Sequence, residues 1–185
     1  MKTPHLFTQL LLLTLVLFSG IARSQDKNLK LVFIRHAERP EDGNNLTCKG
    51  FNRSLQLPAV LYKKFGKPSN IYVPAINLGK DTKRARMFQT ITPFAIKYNL
   101  SINSAYEEGD YKHISKALLK EKGTVIIVWE HKDIQELISA LGVKSATQKW
   151  ASNDYDSIWI VTFPNGLSLL KKDRQGLNPS PNCNF

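Results

Sequence analysis

The sequence predicts an α/β fold, a three-layer α/β/α sandwich with a mostly parallel central sheet and a hairpin at its C-terminal edge. Three observations lead there. Leu29 to Ile34 and Thr124 to Trp129 are nearly continuous apolar runs rich in Val and Ile, the pattern of central parallel strands covered on both faces. Short β-like runs alternate with helix-like stretches, with no repeat, low-complexity tract or long linker between them. Near the end, Ser157 to Phe163 and Leu167 to Leu170 flank Pro164-Asn165-Gly166, a turn signal between two strands.

The remaining elements follow in chain order. Thr47 is placed to cap a helix running to Phe65, with Gly66 just past its end. Ile71 to Val73 is a shorter strand candidate, and a second helix covers Arg86 to Tyr98. Pro58 and Pro93 are expected to kink or break these helices, because proline removes a backbone donor and crowds the preceding turn. Ile134, Leu137, Ile138 and Leu141 stand at the i, i+3, i+4, i+7 spacing of an amphipathic helix, with Asp133 as N-cap and Gly142 following. The tail after Gly176 reads as an Asn- and Pro-rich loop. Trp129, Trp150 and Trp159 are expected in the core, where large aromatics bury most area.

A chain of 185 residues with 42% hydrophobic positions suffices for one globular domain and excludes disorder as the main state. The first residues are set apart. Lys2, the apolar run Leu10 to Phe18 and then Ala22-Arg23-Ser24 form the pattern of a secretory leader, residues 1–24, leaving residues 25–185 as a single exported domain, periplasmic or secreted. Even Leu6 to Phe18 is shorter than the about 20 apolar residues needed to span a bilayer, so no membrane span is expected after leader removal. The net charge of +11 suits an anionic ligand without naming it. Two cysteines, Cys48 and Cys183, are too few for a disulfide scaffold and lack zinc-site spacing; export makes their pairing chemically open, and the sequence leaves it undecided.

The chemistry gathers at the strand ends. The first central strand leads into Arg35-His36-Ala37-Glu38, and the other long apolar strand into Glu130-His131 at the start of the amphipathic helix. Open α/β sheets bind ligands at the carboxyl ends of their strands. The segment Thr82-Lys83-Arg84-Ala85-Arg86-Met87-Phe88-Gln89-Thr90 loads a helix start with cations and is able to bring a guanidinium to the same rim. Two imidazoles, guanidinium groups and helix N-termini suit a phosphoryl group.

These residues resemble the histidine phosphatase superfamily, in its phosphoglycerate mutase-like branch. Arg35-His36-Ala37-Glu38 is similar to the Arg-His-Gly/Ala signature and Leu46-Thr47-Cys48-Lys49-Gly50 to the following Leu-Thr-x-x-Gly. Arg86 through Gln89-Thr90 is similar to the Arg-x-x-Gln-Thr segment, and His131 to the second histidine. The resemblance runs from about Leu29 to Phe163. It implies His36 as the nucleophile that forms a phosphohistidine. It also implies Arg35 and Arg86 as holders of the phosphoryl oxygens, and His131 as a donor to the charge that builds on them. Fixed cations do the electrostatic work in this scheme, so no metal or other cofactor is expected.

The chain also departs from the family pattern. Glu130 stands where the family usually carries Gly, and it is read as facing away, paired with a lysine, with a proton-donor role as the alternative. Many members protonate the leaving group from a mid-chain Glu or Asp. The candidates here are Glu107, Glu108 and Asp110, in surroundings that match the usual motif poorly. Arg53 is a further candidate for substrate binding or a solvated helix position. Glu38 either orients an arginine or begins a solvated loop. Arg84 and Lys83 are read as outward cations, and His113 as an exposed polar residue.

The expected function is therefore an exported phosphohydrolase (phosphomonoesterase) acting on a small phosphorylated substrate through His36. The alternative is a catalytically weak or inactive phosphate- or polyanion-binding module of the same fold. No nucleic-acid partner is expected, because the basic run Lys80 to Arg86 comes without a stacking platform or recognition motif. The natural substrate and the oligomeric state are not specified by the sequence.

Overall fold

The computed structural model describes residues 28–78, 82–144 and 149–184; the leader segment 1–24 and residues 80–81 of the basic run lie outside them. The chain order is β1 (Lys30–Arg35), α1 (Cys48–Phe65), β2 (Asn70–Pro74), β3 (Asn77–Leu78), β4 (Thr82–Lys83), α2 (Ala85–Tyr98), β5 (Ile102–Tyr106), α3 (Tyr111–Leu118), β6 (Thr124–Trp129), α4 (His131–Ala140), β7 (Ser157–Thr162) and β8 (Leu169–Arg174). Six strands form one sheet in the order β5-β2-β6-β1-β7-β8, while β3 and β4 make a small separate ribbon. β1, β6, β2 and β5 run parallel, and β7 and β8 add antiparallel strands at one edge.

Strand alternation divides the interior into two cores. Val32, Ile34, Ile126 and Val128 face Leu57 and Leu61 of α1 and Met87, Ile91 and Phe94 of α2. Leu31, Phe33, Ile127 and Trp129 face Ile114 and Leu118 of α3 and Ile134, Leu137 and Ile138 of α4. The three layers are those the sequence predicts, and Trp129, Trp150 and Trp159 are all core residues. Among the described residues, no helix is long and apolar enough to cross a membrane.

Several local expectations are corrected. Pro58 and Pro93 do not end their helices; both lie inside continuous α1 and α2. The lost hydrogen bond is offset by burial on either side of each proline, Leu57 and Leu61 in α1 and Ile91 and Phe94 in α2. The N-cap of α4 is Glu130, with Asp133 inside the first turn. β5, whose sequence Ile-Asn-Ser-Ala-Tyr carries little apolar signal, forms an edge strand with no fully buried residue. β8 runs on to Arg174, four residues past the predicted strand end.

The loop after β1 is clamped to α1. Thr47 caps the helix by accepting from the Gly50 N–H at 3.1 Å, and it donates through both its N–H and its hydroxyl to the Glu38 carbonyl, at 2.9 and 3.2 Å. A Cβ on Gly50 would stand 2.2 Å from that same carbonyl oxygen. This explains a Leu-Thr-x-x-Gly segment physically: threonine fastens the loop, and only glycine lets the helix approach it. At the other end of the chain, Cys48 and Cys183 form a disulfide with a Cα separation of 5.0 Å. Asn52 secures the same tail by donating to the carbonyls of Ser180 and Asn182 at 2.9 and 2.8 Å.

Gly50→Ala is expected to lower unfolding free energy by about 1–3 kcal/mol through overpacking against the Glu38 backbone. Urea denaturation followed by circular dichroism checks this, and an unchanged midpoint would disprove the contact.

Candidate active site

The parallel register of β1 on β6 creates the site. It pairs Arg35 with Trp129 at the last bridge, so the next position on each strand sets His36 beside Glu130. By alternation both leave on the face of Ile34 and Val128. His36 is fully buried, and its Nδ1 lies 2.7 Å from the Ala37 carbonyl oxygen. A carbonyl only accepts, so Nδ1 carries the proton, and in the neutral ring Nε2 carries the lone pair. That Nε2 points to Glu130 Oε2 at 3.3 Å.

Glu130 thus faces into the site and pairs with histidines, not outward with a lysine as the sequence reading expected. The alternation argument fails because β6 ends at Trp129 and the chain turns at once into α4, so His131 does not continue the pleat. One carboxylate oxygen, Oε1, accepts from the His131 N–H at 3.0 Å and also contacts the His131 ring at Nδ1. Burial pushes the Glu130 carboxyl pKa up, but pairing with His131 and then His36 outweighs it and leaves the group well below the usual carboxylate range. One donor atom from each of His36, Glu130 and His131 falls within 4.8 Å of the others.

Arg35 supplies the adjacent wall. Its Nη1 donates to the carbonyls of Ser152, Ala151 and Asp154 at 2.7, 3.3 and 3.4 Å, and its guanidinium carbon lies 4.0 Å over the Tyr155 ring. Burial lowers the Arg35 pKa from its ordinary value, while Tyr155, Glu130 and Asp154 pull the other way. Asp154 organises this loop by accepting from Asp156 N–H, Ser157 N–H and the Ser157 hydroxyl. Arg35, His131, Tyr155, Ser152, Arg39 and Lys132 line a cavity of about 310 Å³. Sequence reasoning missed Arg39 and Lys132; both directly follow motif residues, but nothing in the spacing aimed them inward.

Arg86 stands in the first turn of α2, which is tied to the loop after β1. The Thr90 hydroxyl donates to the Arg86 carbonyl at 2.7 Å and accepts from the Ala37 N–H at 2.9 Å, tying the helix start to the residue after His36. Gln89 holds the neighbouring loop, accepting from Leu46 N–H at 3.2 Å and donating to Asn45 at 2.7 Å. The Arg86 Nη1 donates to Gly43, while its Nε is buried without a protein acceptor.

The three mid-chain acids separate in the structure. Asp110 caps α3 and pairs with exposed His113. Glu107 is 63% exposed at its side chain, against 19% for Glu108. Both carboxylates meet Arg84, which is half-buried and ion-paired, not an outward cation; its Nε lies 3.0 Å from Glu108. The turn at Arg84, with φ of 58°, swings the guanidinium toward them. Burial raises the Glu108 pKa, Arg84 lowers it, and Asp133 and Glu130 raise it again, with a net upward shift.

No family model matches the sequence, and no curated protein matches it. Solved structures do match in three dimensions. The protein histidine phosphatase SixA, complexed with tungstate, superposes with a TM-score of 0.61 at 17% identity, over 79% of this chain and 97% of that one. The mycobacterial glucosyl-3-phosphoglycerate phosphatase with inorganic phosphate gives 0.54 at 14%, covering 77% and 95%. The phosphoserine phosphatase of Entamoeba histolytica, a mutant in complex with phosphoserine, gives 0.53 at 15%, covering 80% and 96%. The fold is that of the histidine phosphatases.

Within this histidine phosphatase fold, Arg53 takes up a different task from the one considered for it. It is buried and bound in a fork to Glu38, Nε to Oε2 at 2.9 Å and Nη2 to Oε1 at 2.8 Å. Its Nη1 reaches Gln175 at 2.8 Å and Asp156 at 3.4 Å. Glu38 thus orients an arginine, and that arginine joins the loop after β1 to the chain after β8. Arg53→Met is expected to cost about 3–5 kcal/mol by stranding the half-buried carboxylate of Glu38, while Asp156 keeps Arg174 and the Leu177 N–H. Thermal unfolding and phosphate binding measured together check this: a weakened ligand affinity at unchanged stability would instead make Arg53 a binding residue.

Proposed function

We propose that the chain is an exported phosphohydrolase acting on small phosphomonoesters through a phosphohistidine on His36. The observation that carries this is the His36 ring itself, buried at a strand end with Nδ1 locked to a carbonyl and Nε2 pointing to Glu130, next to His131, which lines a cationic cavity. The three neighbours described above support the chemistry, since they are phosphatases and two of them are complexed with tungstate and with inorganic phosphate. The disulfide supports export, because such bonds persist in oxidising compartments.

The geometry suits two displacements. The phosphoryl group takes the place of the Glu130 carboxylate at His36 Nε2, with Arg35 and Arg86 on its oxygens and His131 donating to them as charge develops. Nε2 attacks phosphorus, an N–P bond forms, and the ester P–O bond breaks with its electron pair on the leaving oxygen. Glu108 supplies the proton that this oxygen takes. It is the mid-chain acid whose burial favours the protonated form, and it adjoins both Arg84 and the charge of Arg86. Water then attacks phosphorus, its proton returns to Glu108, the N–P bond breaks and phosphate leaves.

His36→Ala is expected to abolish phosphate release from p-nitrophenyl phosphate with an unchanged circular dichroism spectrum. Acid-labile label trapped on wild-type protein from a ³²P-labelled substrate would place the intermediate. Binding of phosphate without label or turnover would favour the phosphate-binding module instead.

Glu108→Gln is expected to slow alkyl phosphates by about 10²–10⁴-fold, the range of general acid catalysis, and to slow p-nitrophenyl phosphate far less, because that leaving group needs no proton. In the wild type, the raised pKa keeps the acid form to higher pH than for a free glutamate. The alkaline limb of kcat/KM for an alkyl phosphate therefore lies above the ordinary Glu value, and the substitution removes it. Equal losses on both substrates would reassign Glu108 to structure.

A further inference from the structure

We propose that His36, Glu130 and His131 form a binding site for one divalent ion of the zinc class, and that this ion and a phosphoryl group exclude one another. Exclusion rests on the phosphoryl-binding reading above; the metal site stands on the geometry alone.

The donor set is two imidazoles and one carboxylate, each contributing an atom to a cluster no wider than 4.8 Å. His₂Glu is one of the sets that hold zinc with a fourth position open. The 3.3 Å between His36 Nε2 and Glu130 Oε2 matches the roughly 3.3 Å between ligand atoms around a tetrahedral ion with bonds of about 2.0–2.1 Å. His36 is prepared as a ligand in the way metal-binding histidines are, with its other nitrogen held by a carbonyl.

A second, independent observation points into the same place. His36 Nε2 and His131 Nδ1 are buried nitrogens with no aligned hydrogen-bond partner, in side chains at most 8% exposed. Each lies against the Glu130 carboxylate, yet neither contact has hydrogen-bond geometry. Buried polar atoms left in this state are costly, and an ion held between the three groups would satisfy them together. His131 also borders the 310 Å³ cavity, which gives the fourth position an opening.

Chemistry selects the ion. Imidazole nitrogen favours zinc and its neighbours over magnesium or calcium, which prefer all-oxygen cages. The cations at the rim, Arg35, Arg39 and Lys132, oppose any metal and are answered only in part by Glu130 and by Glu41 on the cavity wall, so the site is suited to reversible occupation. A bound ion takes the His36 lone pair and ends its nucleophilicity. The sequence reading expected no metal because of the arginines; Glu130, placed where the family usually has Gly, supplies the charge that changes this.

The test is Zn²⁺ titration of the mature, untagged protein by isothermal calorimetry and by competition with a chromophoric chelator. One equivalent is expected to bind, about a hundredfold more weakly in Glu130→Gln and in His131→Asn, each checked for native circular dichroism, and unchanged in His113→Ala. Phenylphosphonate, a non-hydrolysable phosphoryl analogue, is expected to raise the apparent Kd for Zn²⁺ linearly with its concentration, doubling it when that concentration equals its own Kd. Glu130→Gln is expected to move the two ligands oppositely, weakening Zn²⁺ and tightening phenylphosphonate. The proposal is overturned by absent saturable binding, by binding that survives both triad substitutions or follows His113, or by phenylphosphonate that binds the metal-free protein yet leaves Zn²⁺ affinity unchanged. These outcomes are read without turnover, so they are separate from failure of the phosphatase reading, which the His36 label decides.

Discussion

The carboxylate of Glu130 lies between two buried imidazoles, and much of the site's electrostatics depends on it. Taken alone, each of the three groups is poorly suited to the interior: a buried carboxylate loses hydration, and an imidazole nitrogen without a partner loses a hydrogen bond. Together they form a compact arrangement of one carboxylate and two imidazoles at the carboxyl ends of β1 and β6. The parallel register of those strands enforces it, because bringing Arg35 opposite Trp129 sets His36 beside Glu130. Such a carboxylate competes with any oxyanion for the same imidazoles. Binding at this site, whether of phosphoryl group or cation, is therefore a question of what replaces or joins that carboxylate.

The surrounding residues make the arrangement rigid. Thr47 and Gly50 hold the loop after β1 against α1, Thr90 holds Ala37 against α2, and Gln89 holds the loop at Leu46. Arg53, forked on Glu38 and linked to Gln175, connects this loop to the end of β8. Asp154 folds the segment that delivers Tyr155 to the face of Arg35. Several motif residues that carry no chemistry thus preserve position, which is what a catalytic geometry requires. The disulfide and the Asn52 contacts add the C-terminal tail to the same helix, so that α1 receives restraint at its first turn from both ends of the chain.

Local pattern made most of the architecture legible. The apolar runs of β1 and β6 could only be covered strands, Thr47 and Gly66 marked the ends of α1 by capping chemistry, and periodicity marked α4. Legibility failed where local signals were weak or outweighed. β5 is a strand because β2 offers it an edge, not because Asn103 and Ser104 favour one. Pro58 and Pro93 stay helical because the sheet pays in burial what the prolines cost in hydrogen bonding. Among the candidate residues, His36, His131, Arg35 and Arg86 could be singled out by motif and strand end. The acids could not be ranked, since Glu107 and Glu108 differ in exposure and not in type.

By itself the sequence determined the layers and the strand ends that carry Arg35 and the two histidines, because periodicity and caps act over a few residues and do not need the rest of the chain. Only the tertiary structure decided the direction of Glu130, the task of Arg53 and the pairing of Cys48 with Cys183. Each of these depends on which distant segment arrives alongside: a strand 94 positions away for His36 and Glu130, the chain after β8 for Arg53, and a tail 135 residues distant for the disulfide. Such meetings are set by register and topology, which no local pattern encodes.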